Sequence, residues 1–170
     1  GRVVPNGTTV SRAPQRRDYI PLQSGVAFKT DGDNAAKSSL EVVRFQEEPA
    51  LELTYDLRGG DWVRCFVNVR ENFSNFSRVQ FLFKGEGSNN TLEFRLVDLD
   101  GTTAGALWSQ QTGKKAWTVV DLPLIDLSYF WGGDPIIDKG RIRQIIFVVS
   151  KRAGDAGGRG RVTIRGIKFS

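Results

Sequence analysis

Along much of the chain, apolar and polar residues alternate one by one. Leu51, Leu53, Tyr55 and Leu57 alternate with Ala50, Glu52, Thr54 and Asp56. Val63, Cys65, Val67 and Val69 alternate with Trp62, Arg64, Phe66 and Asn68, and Leu92, Phe94 and Leu96 with Glu93, Arg95 and Val97. A period of two puts successive side chains on opposite faces of a strand. The runs predict strands at 40–45, 50–57, 62–69, 78–84, 91–99, 106–109, 117–123, 143–150 and 161–169. Turn-forming residues separate them, among them Arg58-Gly59-Gly60-Asp61 and Asp100-Gly101. No long stretch has helical periodicity. Many short strands at this spacing predict an all-β fold, a β-sandwich or jelly roll of antiparallel strands. No fixed-period repeat points to a propeller or solenoid. One domain is expected over 1–170, opened by an irregular leader at 1–25 and a strand at 26–29, with a loop at 31–39.

The alternation also identifies a face that does not suit plain solvent. Opposite the Val63, Cys65, Val67, Val69 side, the strand at 62–69 presents Trp62, Arg64, Phe66 and Asn68. Neighbouring runs offer Gln80, Glu93 and Arg95, and a short strand offers Trp108. A pyranose has an apolar C–H face that packs on an indole and a hydroxyl rim that needs donors and acceptors. These nine positions, counting Trp131 beside Gly132 and Gly133, are the candidate ligand-binding residues. Tyr129, Phe130 and Trp131 are expected in a loop, and Trp117 is expected to be a packed anchor. The alternative is a covered face, with Trp62 and Phe66 forming a second layer of core.

Composition narrows the chemistry. The 170 residues are 39% hydrophobic and 25% charged, enough for one sizeable core. No run approaches the ~18 apolar residues of a membrane helix. Histidine is absent and Cys65 is the one cysteine, which excludes Ser-His and Cys-His nucleophiles, histidine-bound metal and an internal disulfide. Glu93 and Asp98 lie five positions apart, so on one strand they point to opposite faces and do not form a glycosidase pair. No enzyme activity is expected.

Net charge is +5, unevenly spread: residues 139–170 carry nine basic groups and one acid. No three basic residues are consecutive, so neither nucleic acid nor membrane is an expected partner, while the arginines leave acidic polysaccharides open. The glycine-rich 154–160 segment reads as a hairpin loop. Asp31-Gly32-Asp33-Asn34 supplies oxygen ligands of the kind calcium accepts, so Asp31 and Asp33 are candidate ligands of a structural calcium. It is not an EF-hand loop, because its twelfth position is Val42.

The run Val79-Gln80-Phe81-Leu82-Phe83-Lys84-Gly85-Glu86-Gly87, followed by 91–98 (TLEFRLVD), resembles the core of galactose-binding-like carbohydrate-binding modules. Trp117-Thr118-Val119-Val120-Asp121-Leu122-Pro123-Leu124 resembles their W-x-x-V-x-L-P strand, and 142–150 with 162–169 resembles their closing strands. The likeness spans about 40–170 and is shared in layout with intermediate-associated protein 30 domains. The resemblance implies a jelly roll whose concave sheet binds glycan chains, as a non-catalytic module beside a glycoside hydrolase in secreted bacterial enzymes. It also implies a calcium held by an acid near the end of the last strand, where this chain has Ile164-Arg165-Gly166-Ile167. Two rival readings stand beside it: a protein-interaction or assembly module on the same sandwich, and a jelly-roll polysaccharide lyase or hydrolase.

Overall fold

A computed structural model describes residues 17–170. Among them the chain forms eleven strands: β1 (Lys29–Gly32), β2 (Lys37–Phe45), β3 (Glu48–Asp56), β4 (Trp62–Glu71), β5 (Arg78–Gly87), β6 (Thr91–Asp98), β7 (Thr103–Trp108), β8 (Thr118–Pro123), β9 (Ser128–Trp131), β10 (Ile142–Ser150) and β11 (Arg159–Phe169). They build two antiparallel sheets, one ordered β1-β4-β10-β6-β7-β9 and the other β2-β3-β11-β5-β8. From β3 to β6 the chain changes sheet at every step, the crossing pattern of a jelly roll. No helix among the described residues is long and apolar enough to cross a membrane.

The apolar half of each alternating run meets between the sheets. Leu51, Leu53 and Tyr55 from one sheet face Val63, Cys65, Val67, Leu92, Phe94 and Leu96 from the other, all buried. Phe81, Phe94, Phe147 and Phe169 form a chain of rings with centroids 5.1–6.2 Å apart. Each such side chain fully buried stabilises the fold by about 1.5–3 kcal/mol before ordering costs. Burial of Cys65 pushes its thiol up to about 12.

Several boundaries differ from the sequence reading. Residues 17–25 contain a backbone bridge, Tyr19 to Phe169, and a 3-10 turn at Pro21–Gln23. The rest of the expected leader, residues 1–16, lies outside the described residues. The first strand is β1, shifted three residues from 26–29 into the expected 31–39 loop, because Asp31 and Gly32 pair with Arg64 and Val63. Tyr129, Phe130 and Trp131 belong to the edge strand β9, held by its pairing to β7, rather than to a loop. The glycine-rich segment is not a hairpin: β10 and β11 lie in different sheets, so it is a crossover. Hairpins join β6 to β7 and β2 to β3, and in the β2–β3 turn the central residues Gln46 and Glu47 both have positive φ, 50° and 70°. That pair of angles gives a turn whose twist matches the strands it joins.

Candidate functional site

The outward face of the six-stranded sheet gathers most of the residues singled out from sequence. Strand pairing lays them in rows. Lys29, Phe66, Ile146, Arg95 and Gly105 form one, and Asp31, Arg64, Val148, Glu93 and Leu107 the next. Asn68 pairs with Gln144 and Trp62 with Ser150 at the two ends. Trp131 enters from β9 opposite Thr103. Trp62 and Trp131 thus sit at opposite corners of a face roughly 20 Å on a side, at ~4.8 Å per strand and ~3.3 Å per residue.

The floor of this face is apolar. Val97, Ile146 and Val148 are buried beneath the half-buried rings of Trp62 and Phe66. The central strand β10 is therefore apolar on both sides: Ile145, Phe147 and Val149 enter the main core, while Ile146 and Val148 support the outer face. So Trp62 and Phe66 act in part as the second core layer that the alternative reading required. Trp131 is 49% exposed and open to a partner.

Above the floor lie arginines on aromatic rings. The Arg64 guanidinium carbon is 4.4 Å from the Phe66 centroid and 5.9 Å from that of Trp62. Arg95 lies 4.5 Å from Trp131 and 5.9 Å from Phe130. Such contacts hold planar donors over π faces. Carboxylates fix their azimuth. Arg64 donates from Nε and Nη2 to both oxygens of Asp31, at 2.7 and 3.0 Å. Arg95 donates from Nε and Nη2 to Glu93 Oε1, at 3.0 and 2.7 Å. The other Glu93 oxygen accepts from the Ser150 hydroxyl at 2.6 Å and from Arg152 at 3.0 and 3.3 Å. Burial pushes the Glu93 carboxyl up, but Ser150, Arg95 and Arg152 outweigh it and hold it below the usual glutamate range. Glu93 is thus a buried anchor for two cations.

Two polar clusters set the rims. Buried Asn90 closes a pair of hydrogen bonds with Gly157, and Thr91 donates to Asp155, which fixes the crossover carrying Arg152. Buried Asp98 accepts from the backbone of Asp100, Thr102 and Asp138. Gly132 and Gly133, both at positive φ, lie against Gly101 and Thr102 where a Cβ would overlap. Trp131 is held beside Arg95 by that close approach.

Of the nine candidate ligand-binding residues, Trp62, Arg64, Phe66, Asn68, Glu93, Arg95 and Trp131 share this face. Gln80 does not: β5 lies in the other sheet, so its side chain is across the sandwich. Trp108 does not either. It follows the inward-facing Ala104 and Ala106 by period two and packs edge-on against Phe81 and Phe83 in the core. Asp31 and Asp33 do not form a calcium set. Both Asp31 oxygens are taken by Arg64, Asp33 accepts from the Asp61 backbone, and no group of three acidic, Cys or His residues converges among the described residues. Trp117 is packed, as expected, against Phe45 at 5.1 Å, and Lys84 and Arg165 lie over its ring. Sequence reasoning missed Gln144, Ile146, Val148, Ser150 and Arg152. The unbroken apolar run 145–149 marks a strand covered on both sides, and that was the available signal.

Solved structures with this architecture put a class of protein beside it. The fold is that of carbohydrate-binding modules. The chain is similar to the family 11 module from Clostridium thermocellum in complex with a β-1,3-1,4-mixed-linked tetrasaccharide, with TM-score 0.71 and 15% identity over 89% of this chain and 93% of that one. It is similar to the family 11 module of a cellulosomal cellulase of the same organism, with TM-score 0.69 and 12% identity over 93% and 95% of the two chains. The family 30 module of another cellulosomal cellulase of that organism matches with TM-score 0.59 and 15% identity, over 85% and 97%. No protein-family model and no curated protein matches the sequence.

Proposed function

We propose that this chain is a non-catalytic carbohydrate-binding module that holds a polysaccharide across the outer face of its six-stranded sheet. The observation that carries the reading is one surface combining exposed or half-exposed aromatic rings, fixed guanidiniums and side-chain amides above an apolar floor. Trp131 and Trp62 stack on sugar C–H faces at the two corners. Between them, the Arg64 and Arg95 donors not engaged by carboxylates and the amides of Asn68 and Gln144 bond hydroxyls. The Gln144 amide donates to Asn68 Oδ1 at 3.0 Å, so both amides are aimed before a ligand arrives. Affinity is modest, because sugar hydroxyls leave water to make these bonds.

The acids Glu93 and Asp98 are not an open carboxylate pair among the described residues, which supports a binding role. Glu93 has both oxygens engaged, and Asp98 is spent on three backbone amides. In this reading the module tethers an attached glycoside hydrolase to its substrate in a secreted bacterial protein. Two of the similar solved modules belong to cellulosomal cellulases, which supports that context.

The test is affinity electrophoresis against a panel of soluble polysaccharides. Retardation by at least one, weakened in Trp131→Ala with the fold intact by circular dichroism, is the expected result. No retardation by any glycan from a folded chain would overturn the reading and favour a protein-interaction module.

A further inference from the structure

The far end of the same face opens into a cavity of about 740 Å³ beyond Asn68. Its walls include Arg70, Arg141, Arg143 and the exposed Leu99, with Glu71 its one acidic residue. Arg70 continues the outward series of β4. Arg143 is placed by a β-bulge against β6, where Ile142 pairs with Asp98 and Gln144 with Val97; against β4 the extra residue lies on β4 instead, with Val69 and Arg70 between Glu71 and Asn68. A bulge adds one residue to a strand and re-aims its side chain, here in a central strand bordering the binding face.

The acids around this cavity are in part already engaged: Asp98 accepts from three backbone amides, Asp138 pairs with Arg141, and Asp100 also lies near Arg141. The acids at the centre of the face are already engaged, Asp31 by Arg64 and Glu93 by Arg95 and Arg152. Arg70 and Arg143 are exposed and have no hydrogen bond or ion pair among the described residues. Two free guanidinium forks beside sugar-bonding amides match a planar or tetrahedral anion carried on a sugar.

Resting on the glycan-binding reading above, we infer that the ligand is an acidic polysaccharide, and that its carboxylate or sulfate groups are taken by Arg70 and Arg143. The rings and amides at the centre bind the sugar, and the bulged end reads its charge.

The experiment is isothermal titration of the intact chain with alginate (carboxylate), κ-carrageenan (sulfate), mixed-linkage β-glucan (neutral) and poly(dT), at low and high salt. At least one acidic glycan is expected to bind more tightly than the neutral one, with an affinity that falls as salt rises. The double variant R70Q/R143Q should lose about ten- to a hundredfold on that acidic glycan, and leave any neutral-glycan binding and the melting temperature unchanged. The two acidic arms separate carboxylate from sulfate. Preference for the neutral glycan, or acidic binding unaffected by the double variant, overturns the inference and leaves the module reading standing. Equal binding of poly(dT), lost in the same variant, also overturns it, in favour of an unselective polyanion surface. Silence of every glycan overturns both.

Discussion

Glu93→Gln tests whether the centre of the face is held by one buried charge. The carboxylate is 1% exposed and accepts from Ser150, Arg95 and Arg152. Removing one partner of a buried ion pair costs about 3–5 kcal/mol, because a charge is left without compensation. Glutamine keeps one acceptor oxygen, and Arg152 is 45% exposed, so water screens its share. Arg95, at 15% exposure, bears most of the loss. The expected destabilisation is about 2–3 kcal/mol, or about 5–10 °C in melting temperature for a chain of this length. Urea unfolding followed by circular dichroism measures it. The pH dependence supplies a second check. The folded Glu93 carboxyl lies below its unfolded value of about 4.3. Its contribution is therefore present above that pH and lost as pH falls through the folded value. The gap between wild type and Glu93→Gln should be full at pH 7 and close on acidification. A gap under about 0.5 kcal/mol at pH 7, the range of a neutral surface change, would refute the reasoning. So would a gap that widens towards low pH.

Trp62→Ala should weaken glycan binding and also destabilise by about 1–2 kcal/mol, since its ring packs on the Val97, Ile146 and Val148 cluster, whereas Trp131→Ala should weaken binding with little change in stability. Parallel titration and thermal melts separate the two. Trp108→Ala should cost about 2–4 kcal/mol through the lost contacts with Phe81 and Phe83, while the folded fraction still binds glycan; urea unfolding and titration of the folded protein check this. Cys65, buried and with its thiol pushed up to about 12, should not react with a thiol reagent at pH 8 until denaturant is added.

The alternating runs made much of the architecture readable. In β3, β4 and β6 the apolar half turned inward, and so the outward set Trp62, Arg64, Phe66, Asn68, Glu93 and Arg95 fell on one sheet. Period two assigns a side chain to a face but not a strand to a sheet. Gln80 was therefore grouped with residues it never meets, because β5 lies across the sandwich. Trp108 failed differently. Its strand is short and opens on small residues, so the apolar half was not evident from 106–109 alone, and the phase that turns the indole inward comes from pairing with β6. Edge strands β1 and β9 are four residues each and carry polar or aromatic residues, so their structure comes from a neighbour's hydrogen bonds. Arg152 reaches Glu93 from a crossover 59 positions away, a contact with no local signal.

The central claim is that sugar lies on the outer face of the six-stranded sheet. The chain has four tryptophans, and each gives one indole N–H signal in a ¹H–¹⁵N correlation spectrum. The measurement is titration of labelled protein with an oligosaccharide of whichever glycan binds in the panel. The indole signals of Trp62 and Trp131 should shift and saturate together with the side-chain amides of Asn68 and Gln144, while Trp108 in the core and Trp117 on the opposite sheet stay in place. Shifts confined to Trp117 and its neighbours on the five-stranded sheet, with Trp62 and Trp131 unmoved, would contradict the account.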